Sequence, residues 1–256
     1  TIQMLKSKYP SIDKIIKQNK LLTGAGISDN DGKFDAECYM NKKIINSKSA
    51  VDMFYFNVNE SKIFNKKHIY RLGKKEIFHP PFCLLRKGPN CSNYRLRAAY
   101  ADEDIIFREA ISAIKGNEDQ KKILLCLVGL LNSSLFAYLN LMLGSSIGIE
   151  REQVFMDEVY KYPFVYDDKI VEKVEEIQLK MKFFKNTLFY DNIKNDIKEL
   201  DEIILKKFGL QGDIFIDYAI KVIIPLLSNK ELKFRQVTVG ELKEYSKVFL
   251  EYWEQS

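Results

Sequence analysis

The spacing of apolar positions divides the chain into two regimes. Between residues 53 and 114 the apolar residues come in short runs of strand type, broken by turn formers. The runs cover 53–58, 67–72, 82–86, 94–100 and 105–114, with Gly73-Lys74-Lys75 and Gly88-Pro89-Asn90 among the breaks. They predict a mixed or antiparallel sheet. Ahead of them, residues 12–22 read as a short helix or edge segment, and a Gly- and Asp-rich stretch follows from Thr23 to Gly32.

The second regime opens at Asn117. Asn117-Glu118-Asp119-Gln120 resembles a capping box, and residues 121–143 then read as one long helix, apolar on most of its faces. Asn132, Ser133, Ser134 and Asn140 interrupt it, and the unbroken apolar run falls well short of the roughly 20 residues a membrane span needs. A buried core helix is the better reading, and no membrane partner is expected. Gly144-Ser145-Ser146-Ile147-Gly148 ends it, and residues 149–159 predict an amphipathic helix stopping before Pro163. Beyond Tyr166 the pattern predicts helices of alternating charge at 169–184, 193–208, 213–227 and 238–253. Gly209 stands where a C-terminal cap belongs, Pro225 should kink or end the third helix, and Thr238-Val239-Gly240-Glu241 is a second capping-box match. The expected class is α+β. A mixed sheet with a long buried helix forms a first domain over 1–165, and helix pairs form a second over 166–256.

At 256 residues, 46% hydrophobic and 29% charged, the chain has the composition of a folded protein rather than a disordered tail. Its four cysteines, Cys38, Cys83, Cys91 and Cys126, never form a CxxC pair, and there are two histidines. A Cys/His zinc site and a disulfide framework are both poor fits. Reduced thiols suit a cytoplasmic setting. The opening residues lack the apolar core of a secretory signal, and a start at Thr1 leads us to expect a piece of a longer polypeptide.

Charge changes the picture most. Residues 61–97 hold ten Lys and Arg against one acid, Glu76, whereas the whole chain is only +5. Phe64, Tyr70, Phe78, Phe82 and Tyr94 are interleaved with these cations. Clustered cations with aromatic neighbours suit a phosphate backbone, because each neutralised phosphate releases condensed counterions. A solvated lysine-rich surface would produce the same composition.

Three motifs invite catalytic readings and lack their context. Leu22-Thr23-Gly24-Ala25-Gly26-Ile27-Ser28 is similar to the dinucleotide-binding signature of sirtuin deacylases, NAD-dependent enzymes that also need a His-Gly dipeptide and paired CxxC ligands. Here His68 precedes Ile69, His79 precedes Pro80, and a plain turn accounts better for the glycines. Phe78-His79-Pro80-Pro81-Phe82 resembles the Asn-Pro-Pro-aromatic motif of amino-methylating DNA methyltransferases, with His in place of the essential Asn. It reads as a proline-bounded lead into a strand, with His79 structural. Asp102-Glu103-Asp104 could bind a metal, although a solvated turn is the commoner outcome.

A longer resemblance covers roughly residues 55–165. Phe82-Cys83-Leu84-Leu85-Arg86-Lys87-Gly88, Arg97-Ala98-Ala99-Tyr100 and Phe107-Arg108-Glu109 resemble the target-recognition part of bacterial restriction-modification adenine methyltransferases, type IIG-like or type I-like. So do Leu127-Val128-Gly129-Leu130-Leu131-Asn132-Ser133-Ser134-Leu135-Phe136, Gly144-Ser145-Ser146-Ile147-Gly148-Ile149-Glu150-Arg151-Glu152-Gln153 and Tyr162-Pro163-Phe164. Leu200-Asp201-Glu202 and Phe208-Gly209-Leu210 look, less specifically, like the tail of fused type IIG-like enzymes. The resemblance implies a non-catalytic module that binds double-stranded DNA and selects its sequence. A separate catalytic methyltransferase domain, in the same or a partner chain, would carry S-adenosylmethionine; no cofactor is expected in this segment. An attached nuclease is left open.

On that footing the candidates for phosphate or base contact are Arg71, Lys74, Lys75, Arg86, Lys87, Arg95 and Arg97. Strand alternation puts Arg95 and Arg97 on one face, where both could point at DNA. Ser145, Ser146 and Arg151 flank an expected helix start whose free amides could hold a phosphate. Two other readings stand beside this one: a protein-docking module built on residues 166–256, and the NAD-dependent deacylase.

Overall fold

The structure, a computed structural model, describes residues 2–46, 50–90, 93–146, 153–184 and 190–223. Its class is α+β, as the pattern predicted. At the centre lies a four-stranded sheet in the order Leu22–Ala25, Ile111–Lys115, Phe82–Arg86 and Ala98–Ala101, every neighbouring pair antiparallel. In register, Leu84 faces both Ala113 and Ala99, and Cys83 faces Ile114 and Tyr100. Alternation along each strand then sends Phe82, Leu84, Ala99 and Ala113 to one apolar cluster and Cys83, Leu85, Ala98 and Ile114 to another. Both faces of the sheet are buried, which is why runs such as Phe82–Leu85 carry no polar alternation.

The first face is covered by small β-pairs and a group of rings. Tyr39, Phe78, Phe82 and Phe107 meet edge to face, with centroids 4.9–6.1 Å apart along the series. The expected strand 105–114 is in fact two. Ile106–Phe107 leaves to pair in parallel with Lys43–Ile45, and Ile111–Lys115 joins the central sheet. Between them the amide of Glu109 donates to the Ile27 carbonyl at 2.9 Å, pinning the crossover to the end of the edge strand. The expected runs 53–58, 67–72 and 94–100 shorten to a Val51–Asp52/Tyr55–Phe56 hairpin, His68–Ile69 and Ala98–Ala101.

Helices cover the second face. The capping box forms in both directions: Gln120 N–H donates to Asn117 Oδ1 at 3.2 Å, and Asn117 N–H donates to Gln120 Oε1 at 3.0 Å. The long helix breaks where polar residues interrupt it, into Lys121–Asn132 and Ser134–Leu143, bent by 65°. Ser133 is extended there; its hydroxyl donates to the Leu130 carbonyl at 2.6 Å and accepts from the Phe136 amide at 3.2 Å. A side chain that ends one helix and caps the next competes directly with a continuous ladder. Among the described residues no single helix is long and apolar enough to cross a membrane, and the bent pair is buried almost throughout from Leu124 to Asn140.

Asp168–Phe184 lies across Lys121–Asn132 at Gly129, where a Cβ would come within 2.7 Å of Ile170 and 2.9 Å of Val174. Tyr190–Lys207 packs against it in turn. Gly209, at φ +69°, then lets the Leu210 amide reach back to the Leu205 carbonyl at 2.8 Å. One apolar cluster runs from Leu5 to Ala219, so these helices share the core beneath the sheet. Of the expected third tail helix, the described part is α-helical over Ile214–Tyr218 and continues as a wider turn over Ala219–Ile223. Of the expected helix 149–159, the described part is helical only over Met156–Val159. Pro225 and the capping box at Thr238 lie outside the described residues.

Candidate nucleic-acid interface

The cationic block does not stay together. Arg95 and Arg97 both turn inward, each to its own partners. The Arg95 guanidinium forms a two-armed ion pair with Asp201, donates to the Asn132 carbonyl at 2.9 Å, and its side chain is 14% exposed. The same carboxylate accepts the Ser134 amide at 2.8 Å, so it caps the helix after the break as well. Beside it Asn132, fully buried, holds the backbone of Ala98 from both sides, at 2.9 and 2.7 Å. Arg97 donates to the Pro89 carbonyl at 2.9 Å and lies 4.0 Å from Asp52. Arg86 donates to the Val51 carbonyl at 3.3 Å. All three arginines hold the fold, a correction to the outward-facing role expected for Arg95 and Arg97.

Arg71, Lys74, Lys75 and Lys87 make no ion pair or side-chain hydrogen bond among the described residues. The first three are exposed and Lys87 is half-buried. Arg71 is held by its backbone: its amide and carbonyl exchange hydrogen bonds with Ser28, at 3.3 and 3.0 Å, beyond the edge strand. The turn Lys75–Phe78 packs over the same strand, with Ile77 against Gly24. Lys87 leaves the end of its strand with its amide on the Ala110 carbonyl at 3.0 Å, and its own carbonyl accepts the Val154 amide at 2.6 Å.

These anchors build a groove of three joined depressions. Lys33, Phe34, Tyr70 and Arg71 line the first. Tyr70 and Arg71 continue into the second, about 600 Å³, with Ser28, Lys87, Glu109 and Gln153. Lys87 and Gln153 then border a third, floored by Thr23, Ala25 and Ser112 and walled by Asp157 and Tyr160. Burial first, and the nearby Arg71 charge second, lower the pKa of Lys87, while Glu109 partly offsets them. Two like charges so close, neither holding an acid, are poised for an anion or an acceptor edge.

Of the aromatics interleaved with the block, only Tyr70 faces outward, at 63% exposure; Phe64, Phe78, Phe82 and Tyr94 are all core. Ser145 and Ser146 do not open a helix in the described residues. The Ser145 amide donates to the Glu158 carboxylate at 3.2 Å, and the buried Ser146 hydroxyl accepts the Gln153 amide at 2.7 Å, closing a loop. Both are committed to protein partners, and Arg151 lies outside the described residues. Glu109, Gln153 and Phe34 were not among the sequence candidates, for nothing in their spacing marks them; Glu109 and Gln153 stood only inside quoted stretches, Phe107-Arg108-Glu109 and Gly144 to Gln153.

The other motifs resolve as packing. Leu22–Ala25 is a strand rather than the expected turn, and at Gly26 a Cβ would lie 2.1 Å from the Phe107 carbonyl oxygen. The glycine is there for backbone contact. His79 is exposed, 3.7 Å from Asp104. Among the described residues no cluster of His, Cys, Asp or Glu could hold a metal. Burial pushes the Cys126 thiol up to about 12, and Cys83 is shifted the same way, which leaves both unreactive.

No protein-family model matches the chain, and no curated protein matches it in sequence. Its fold is similar to that of the Type IIL restriction-modification enzyme MmeI, solved in complex with DNA, with TM-score 0.51 and 10% identity over 91% of this chain. The match takes in 36% of the MmeI chain, so this chain spans little more than a third of that enzyme. At this identity the likeness is one of fold.

Proposed function

We propose that this chain is a DNA sequence-recognition module of a restriction-modification adenine methyltransferase. It would hold duplex DNA while a separate, S-adenosylmethionine-dependent domain modifies the target adenine. The observation that carries this reading is the groove along the sheet edge. Its cations, Arg71 and Lys87, stand on fixed backbone with no acid bound among the described residues, and exposed Tyr70 lies between its depressions. The fold likeness to an enzyme solved with DNA supports it. Extruding a base from a duplex costs a few kcal/mol, and contacts elsewhere on the DNA must offset that cost. Arg71, Lys74, Lys75 and Lys87 would supply phosphate or base contacts; S-adenosylmethionine has no role in the segment itself. Duplex oligonucleotide binding at two salt concentrations tests the idea. Log K should fall with log[salt] at about 0.9 per phosphate contacted, and a flat response would count against it.

A second reading, docking of a catalytic domain, is favoured by a different groove. It runs between Tyr55–Phe56 and the helix Asp168–Phe184, where Leu179 is 61% exposed. Loss of co-purification with a methyltransferase domain in Leu179→Glu, with DNA binding intact, would support it.

A further inference from the structure

A surface that only grips phosphate presents donors, since phosphate oxygens accept and never donate. The middle depression breaks that pattern by placing a carboxylate in its wall. Glu109 Oε2 is buried with no hydrogen-bond partner among the described residues, a costly state for a carboxylate. Its position is not accidental to a loose loop. The Glu109 amide is bonded to the Ile27 carbonyl, and its neighbour Ala110 holds the Lys87 amide, so acid and amine stand on a turn and a strand end locked side by side. Arg71, tied to Ser28, borders the same depression.

Two neighbouring cations and a carboxylate match a base edge better than a phosphate. In the major groove a G·C pair presents two adjacent acceptors, guanine N7 and O6, followed by the cytosine N4 donor. An A·T pair separates its two acceptors by a donor and ends in a methyl group. Resting on the DNA reading above, we infer that Lys87 and Glu109 read a single G·C pair in the major groove. The ammonium donates to guanine O6 or N7, and the carboxylate accepts from cytosine N4. Arg71 serves the second guanine acceptor or the adjoining phosphate.

The test is selection from a randomised duplex pool by the full chain, comparing wild type with Glu109→Gln and Lys87→Met. Wild type should enrich a motif containing one fixed G·C position. Glu109→Gln, nearly isosteric, should relax that position about tenfold, or shift it toward adenine, to which an amide bonds well. Other positions and the salt slope should hold. Lys87→Met should relax the same position. Thermal melts of both variants separate lost reading from lost folding. An unchanged motif in folded Glu109→Gln overturns the inference, and so does a folded variant in which every position weakens equally. Duplex binding by wild type with no enriched motif overturns it and reduces the DNA reading to sequence-independent binding. No duplex binding at all overturns both.

Discussion

Arg95 and Arg71 come from one cationic block and end in opposite circumstances. Arg95 is enclosed by Asp201, the Asn132 carbonyl and the helix break; Arg71 is exposed in a groove, fixed by its backbone and holding no acid. Both belong to the same cationic stretch of the chain, and the surroundings decided their roles. A guanidinium taken out of water must be matched by a carboxylate, and Asp201 supplies that match from a helix 106 residues further on. The enclosed site ties the helical tail to the sheet, and the open one is available to a ligand.

If that contrast is right, the largest effect belongs to the enclosed site. Asp201→Ala strands Arg95 and leaves the Ser134 amide uncapped. Breaking one side of a buried ion pair costs about 3–5 kcal/mol, to be measured as loss of unfolding free energy in urea. A loss below about 1 kcal/mol would place Arg95 in the class of exposed cations and erase the distinction.

Asn132→Ala comes next. It orphans the buried amide of Ala98 on the outer strand of the sheet, while the Ala98 carbonyl keeps the Phe54 amide at 2.9 Å, and an unsatisfied buried group costs about 1–3 kcal/mol. Hydrogen exchange localises the effect: protection should fall at Ala98–Ala101 before it falls at Ile111–Lys115. Uniform loss across the sheet would mean that Asn132 holds the whole core rather than its contact with the helix break.

Much of this was legible in the chain, and the boundary of legibility is physical. A short apolar run bounded by turn formers located Phe82–Arg86, and the Asn117/Gln120 and Gly209 caps were readable because their partners lie within a few residues. Asn132-Ser133-Ser134 was visible as an interruption, but a helix with an outward polar notch and a helix broken by one look alike in sequence. The Arg95–Asp201 pair could not be read, since nothing local specifies a partner on a distant helix. For the same reason alternation could pair Arg95 with Arg97 but could not tell which side of the chain is solvent. Arg71 and Lys87 were named as candidates among seven basic residues. Their meeting in one depression depends on the exchange between Ser28 and Arg71 and on the Lys87–Ala110 bond, both made between segments remote in sequence.

Arg71→Ala probes the open site. An exposed side chain without partners should change folding stability by no more than about 0.5 kcal/mol. If Arg71 contacts a phosphate, the salt slope of duplex binding should drop by about 0.9. If it contacts a base, the slope holds and sequence preference changes instead. A stability loss like that of Asp201→Ala would show that the two arginines do not differ after all.

The smallest effect is a pH dependence at Lys87. Burial and the Arg71 charge lower its pKa from the ordinary 10.5, so in the free protein it gives up its proton at lower pH than a solvated lysine. Acceptor atoms on DNA favour the charged amine, and binding therefore takes up a proton wherever the free amine is partly neutral. Affinity should be constant at low pH and fall as pH rises through that lowered pKa. Lys87→Arg keeps its charge throughout the range, so its affinity should stay level where wild type declines. Titrating duplex affinity between about pH 7 and 9.5 at constant salt compares the two directly. Parallel curves for wild type and Lys87→Arg would remove Lys87 from the bound surface and leave Arg71 as the groove's working cation.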